Sequence, residues 1–428
     1  MAIPVHVARP VTHSPRIFQA FENRHYARLW LANCLSYTSR WMQMTLLAWL
    51  VLELTNSPWS VALVGFFSST PMLVLGLLGG VLADTANRQR LLTVTQSVST
   101  VSSLGLTLCL GTGIVQVWHV YLVVLLDGAS WALSMPSRRA LLFDILGMAG
   151  VTNAVALDAV GMNLSRMFGP ALAGVLITLV GVTGGYATIL LFYATSLVLL
   201  WLLPVLHTPR PERYRQPLGQ NLLEGFRYVR QNHTILATIC ITVVMNLLLF
   251  PYMPLVPVIA RDVLHVDALL MGALQAAEGG GALVGALLIA AAVSIVYHGR
   301  IFLGGSVLAL LALCVFSMSR WYILSLPVLL FLGLGAAGFG TMQSTIIMLA
   351  AKEDMRGRAL GVMSLAIGAG PLGSLLLGAV ASIVSPVFAL RLNALVGLVA
   401  LAGIMLLLPA ITDRTQPMRQ QVPSPSPR

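Results

Sequence analysis

Charge is scarce in this sequence. Only 9% of its 428 residues are charged, against about 25% in an ordinary soluble domain. Hydrophobic residues make up 57%, and the mean hydropathy is +0.87. That composition excludes a disordered chain. It argues against a soluble enzyme, because no compact fold hides so much apolar surface from water. Lysine is nearly absent: Lys352 is the single one among 25 basic residues, against 14 acidic ones and a net charge of +11. A basic chain suggests a nucleic-acid partner, but charge this dilute forms no dense patch, and none is expected. Cysteine is sparse. Cys34, Cys109, Cys240 and Cys314 lie apart in apolar runs without a CxxC pair, so neither a disulfide framework nor a zinc site is indicated. HExxH and GxxxxGK[ST] are both missing, which removes those metal and nucleotide signatures. No metal and no cofactor is expected. The first 28 residues hold no apolar stretch of the kind a signal peptide needs.

Long apolar runs dominate what is there. A helix needs about 20 apolar residues to cross a bilayer core. Twelve such runs can be read, at about 29–53, 59–83, 91–112, 117–139, 155–180, 185–205, 234–259, 268–296, 300–318, 322–349, 359–384 and 387–410. They predict an all-α integral membrane protein with twelve transmembrane helices. Lys and Arg sort by side if the N-terminus is inside. Twenty then fall inside: Arg9, Arg16, Arg24, Arg28, Arg88, Arg90, Arg138, Arg139, Arg210, Arg213, Arg215, Arg227, Arg230, Arg300, Lys352, Arg356, Arg358, Arg414, Arg419 and Arg428. Three fall outside: Arg261, Arg320 and Arg391. Positive charge on short loops stays cytoplasmic, so the split supports both termini inside. Trp30, Trp59, Trp118 and Trp321 fit interfacial anchors.

The chain divides into a cytoplasmic N-terminal segment (1–28), a six-helix half (29–205), a central cytoplasmic loop (206–233), a second six-helix half (234–410) and a disordered cytoplasmic tail (411–428). Stretch 219–230 of the central loop reads as a short surface helix. Gly169-Pro170 in the fifth helix and Gly370-Pro371 in the eleventh recur six spans apart, a weak internal repeat. Parallel halves of this kind occur in transporter folds.

The segment Gly80-Val-Leu-Ala-Asp84-Thr-Ala-Asn-Arg88-Gln-Arg90 resembles the loop 2–3 signature of the major facilitator superfamily, with departures at Thr85 and Asn87. Trp41-Met-Gln43, the run Trp49 to Pro58, Pro136-Ser-Arg138-Arg139-Ala140, Asn153 to Leu157, Asn163 to Pro170 and Arg356-Gly-Arg358 resemble its drug- and siderophore-exporting branch, which includes macrolide efflux proteins and enterobactin exporters. The resemblance spans about residues 25–410. It implies two pseudo-symmetric halves, alternating access, and a loop around Gly80, Asp84, Arg88 and Arg90 that latches one conformation. Gly169, Pro170 and Gly174 resemble the helix 5 signature associated with antiport. Read from chemistry, Pro removes a backbone donor and bends a helix, so a functional bend is expected there, with plain packing as the alternative.

Charges inside the spans narrow the site. A charge at the bilayer centre costs at least about 2.5–3.5 kcal/mol and faces a cavity or a partner. Asn33, Ser36, Arg40 and Gln43 fall on one helical face and would line a pathway. Asp127 lies mid-helix 4, followed by Ser130, Trp131 and Ser134 on its face. The resemblance places helices 1, 4, 7 and 10 around a central cavity, so Arg40 and Asp127 would face each other, as a breakable coupling pair or a static one. Glu278 is the second carboxylate candidate, its glycine neighbours admitting another helix. Arg166 would hold a carboxylate or a facing helix. Asn246 and Gln343 are uncharged cavity candidates, and Pro251, Pro254 and Pro257 would break helix 7 near its outer end. Asp144 reads as isolated. The expectation is a monomeric secondary transporter of the bacterial inner membrane, exporting an amphipathic small molecule in exchange for protons. The alternatives are a lysophospholipid transporter, an uptake symporter and, remotely, a membrane-embedded enzyme.

Overall fold

The computed structural model describes residues 16–204, 218–292 and 295–413, and they are helical almost throughout. Side-chain caps start several spans and keep the turns short. Asn23 accepts from the backbone N–H of His25 and Tyr26 and starts span 1 (Arg24–Thr55). Ser57 caps span 2 (Pro58–Thr85), with proline at the first turn where its missing N–H costs nothing. Asn87, one of the signature's departures, caps span 3 (Arg88–Gly111) through the N–H of Arg90.

The next helical stretch, Val117–Trp201, is 85 residues long and contains three crossings. It is broken at Gly147 (φ 65°) and Gly181 (φ 71°), torsions that side chains with a Cβ rarely adopt. Span 4 is thus 117–146, span 5 148–180 and span 6 182–201. Between spans 4 and 5 the expected loop 140–154 is instead helix on both sides of Gly147.

After the helix Leu218–Gln231 come span 7 (His233–Asp262), span 8 (Ala268–Ala291), span 9 (His298–Met318), span 10 (Tyr322–Ala350), span 11 (Glu353–Ile383) and span 12 (Pro386–Leu407). The three prolines do not break span 7. Its pitch changes instead, from a π segment Met245–Leu249 to a 3₁₀ segment Phe250–Leu255 and back to α. Span 11 is interrupted at Gly368 and Ala369, just before Gly370 and Pro371.

Ten stretches among the described residues are long and apolar enough to cross a membrane. One of them, Gly150–Trp201, holds 52 residues, about 78 Å of helix, and its break at Gly181 makes it two crossings. Span 1 adds the twelfth. It is less apolar because it carries Asn33, Arg40 and Gln43, which with most of its residues between Tyr26 and Leu52 are buried or half-buried in the bundle. Spans 1–6 and 7–12 form two halves. Glycines set the closest approaches between them. A Cβ at Gly272 would lie 2.6 Å from the Pro170 carbonyl oxygen, and one at Gly279 2.7 Å from Met167 Cα.

Candidate functional site

Three constellations of charged and polar side chains stand out within the bundle. In the first, Arg40 Nη1 on span 1 lies 2.7 Å from Asp127 Oδ2 on span 4. The other carboxylate oxygen accepts from Ser99 (2.9 Å) and from the Tyr193 hydroxyl (3.1 Å). Arg40 also stacks over Trp131, 4.5 Å from the ring centroid, a cation–π contact that spreads its charge. Gln43 is buried and accepts from Tyr193.

The second constellation, inside the N-terminal half, corrects the charge count. Arg138 is not on a cytoplasmic loop. It is 3% exposed and donates to Asn33 Oδ1 (2.5 Å), Gln96 Oε1 (3.1 Å) and Ser36 Oγ (3.3 Å). Asn33 in turn donates to Asp158 on span 5 (2.9 Å), which also accepts from Tyr37 (3.2 Å). Asn33, Ser36 and Gln43 therefore bind side chains within their own half, and Arg40 is the member of that stripe that lines the cavity between halves. The reason is geometric: one face of span 1 points at spans 3, 4 and 6, and only the polar residue nearest mid-membrane also borders the gap. Sequence reasoning missed Arg138 because span 4 runs on to residue 146. It missed Asp158 because an acidic residue near a run's end resembles a loop residue. The available signal was Asp158 and Ser165, seven residues apart on one face, both bonded to span 1 residues.

The third constellation joins the halves. Arg166 on span 5 grips both carboxylate oxygens of Glu278 on span 8 with its Nε and Nη2, and it stacks over Trp41 at 5.3 Å. One turn along, Thr45 donates to Gln275. Toward the side opposite the chain termini, Arg261 donates to Asn56 (2.9 Å) and the Leu52 carbonyl (3.3 Å), while Gly378 packs against Trp59 and Ala62. These contacts lie at mid-membrane or beyond it, away from the termini.

Between the halves is an open cavity of about 210 Å³, bounded by Arg40, Met44, Met72, Trp131, Asn246, Phe250, Met253 and Gly370. Asn246, in the π segment, donates to the Thr242 carbonyl in the α-helical turn before it. Gln343 is buried and donates to Thr242 Oγ1, tying span 10 to span 7. Gly169 abuts span 1 at Trp41 and Thr38, and the helix stays regular through Pro170, so packing is what the Gly-Pro pair does in this conformation. Arg88 pairs with Asp144 at 2.6 Å, so Asp144 is not isolated. Arg90 is exposed, and of Gly80 and Asp84 only the helical backbone is described. Trp30, partly exposed, donates its indole N–H to the Leu157 carbonyl at 2.9 Å. Among the described residues no three His, Cys, Asp or Glu side chains gather to hold a metal.

Twelve helices in two halves around a central cavity define a transporter of the major facilitator fold. Residues 16–427 match the transmembrane secretion effector family, and the chain belongs to it. Two curated relatives are the enterobactin exporters EntS of Citrobacter koseri and Escherichia coli. The former is 27% identical over 373 residues, covering 87% of this chain and 88% of the relative. The latter is 27% identical over 335 residues, covering 78% and 80%. Among solved structures, a POT family transporter superposes with a TM-score of 0.76 at 10% identity, covering 91% of this chain and 97% of that one. A D-xylose-proton symporter gives 0.70 at 12%, covering 93% and 100%. At these identities the solved structures speak to the fold alone. The chain is a multi-pass secondary transporter of the bacterial inner membrane.

Proposed function

We propose that this transporter exports an amphipathic small molecule of the siderophore or drug class by alternating access, in exchange for protons. The observation that carries this reading is the Arg40–Asp127 pair, whose Arg40 lines the central cavity with Asp127 behind it. A carboxylate that a substrate or a proton can release from its arginine links cavity occupancy to charge. The exporter relatives support the direction and the substrate class. The excess of basic residues beside both termini supports a cytoplasmic location for them. The contacts between halves lie at mid-membrane and beyond, so the conformation is then inward-open, ready to load from the cytoplasm. The protein works as a monomer, each copy holding a complete cavity.

Everted vesicles carrying the wild-type chain, energised to an inward-acid pH gradient, test the reading. Enterobactin, or failing that a macrolide, is expected to dissipate the gradient while accumulating inside. Accumulation without any loss of the gradient would sink proton exchange, and no accumulation of either compound would sink the substrate class.

A further inference from the structure

The helix Leu218–Gln231 in the central segment has no part in the transport reading. Its inner face packs on the C-terminal half. A Cβ at Gly225 would lie 2.9 Å from the Arg358 carbonyl oxygen and 3.1 Å from Val362. Val229 is buried among Ile235, Ile347, Ala359 and Val362. Glu224 pairs with Arg358 at 2.9 Å, and the Tyr228 hydroxyl accepts from the Lys352 N–H at 2.9 Å.

The opposite face is uncovered. Leu223 and Phe226 are 54% and 50% exposed, and Arg227 and Arg230 are exposed beside them. Positions 223, 226, 227 and 230 share one helical face. Two large apolar groups in water would be unfavourable, and two features say what covers them. The helix ends at Gln231 and span 7 begins at His233, so a single residue ties it to the membrane boundary. Gly225 also sits level with Val362, nearly two turns into the helix Arg356–Ile367 that leads span 11. Leu223 and Phe226 are therefore at the depth where a bilayer's headgroup region meets its acyl chains. An amphipathic helix with Leu and Phe beside Arg is the form that lies in this interface.

We infer that this helix is a lipid-docking element: Leu223 and Phe226 enter the bilayer surface, and Arg227 and Arg230 bind the phosphate of acidic lipid headgroups. A basic side chain near an acidic leaflet is worth about fivefold in binding. The same helix clasps the start of span 11, so bound lipid also steadies the terminus-side edge of the C-terminal half.

The test uses the full chain in nanodiscs of phosphatidylcholine with or without phosphatidylglycerol. A nitroxide is attached at Phe226→Cys, with the four native cysteines replaced by alanine. The label is expected to be relaxed by oxygen and shielded from a water-soluble nickel complex. Strong relaxation by the nickel complex, or shielding from both reagents as a covering protein surface gives, would overturn the proposal. Independently, native mass spectrometry of the chain with unaltered cysteines reads retained phosphatidylglycerol. The pair Arg227→Gln and Arg230→Gln is expected to lower its affinity about 25-fold. Unchanged retention would remove the headgroup contact.

Discussion

Asp127 accepts hydrogen bonds from three side chains on three helices, so its charge is spread among Arg40, Ser99 and Tyr193. Asp127→Asn keeps acceptors for Ser99 and Tyr193 but removes the counter-charge of Arg40. Breaking a buried pair from one side costs about 3–5 kcal/mol, here toward the lower end because Arg40 borders an open cavity. Transport measured across a pH series is expected to lose its pH response while expression persists. Unchanged pH-dependent transport would make the pair static. Arg138 predicts the opposite pattern. Arg138→Met strands the Oδ1 acceptor of Asn33, at about 1–3 kcal/mol, while Gln96 Oε1 keeps its hydrogen bond from Ser36. The unfolding midpoint of the detergent-purified protein is expected to fall, with little change in the pH response of transport. Arg40, Asp127, Arg166 and Glu278 were legible in the sequence because charge in an apolar run is conspicuous. Arg138 and Asp158 were not, because they sit near run ends where burial depends on how far the helix continues.

At the scale of elements, glycine decides where helices stop and how closely they approach. Gly181 takes a φ of 71° between spans 5 and 6, and a Cβ there would meet no neighbour. Gly181→Ala therefore costs torsion alone, about 1–2 kcal/mol, read as a lowered thermal midpoint without loss of transport. Gly272 is the contrary case. Its added Cβ would run into the Pro170 carbonyl at 2.6 Å. Gly272→Val forces spans 5 and 8 apart, and overpacking of this kind costs about 1–3 kcal/mol. Long apolar runs revealed these helices, yet they placed a loop between spans 4 and 5 where helix continues to either side of Gly147. A single left-handed glycine turns the chain there, and hydropathy does not register a torsion angle.

For the whole molecule, the proposed alternating access assigns the closure away from the termini to Arg166–Glu278, Thr45–Gln275 and the contacts of Arg261 with span 1. The opposite conformation requires these to part. Glu278→Gln leaves Arg166 without its counter-charge and weakens that closure. A cysteine introduced near Trp59 is expected to react faster with a membrane-impermeant thiol reagent from the side opposite the termini. An unaltered rate would mean that glycine packing alone holds the halves together.

The sequence by itself determined that the chain lives in a membrane and how many times it crosses. Those properties depend on transfer free energies summed along the chain, which composition and spacing carry directly. It also marked the rare charges within the spans. The facing of Arg40 and Asp127 was already expected from the resemblance; only the tertiary structure decided that Arg166 meets Glu278 across the two halves and that Arg138 is drawn inward to Asn33. A helix presents its polar groups around its whole circumference, and the neighbour each one meets is set by packing between spans far apart in sequence.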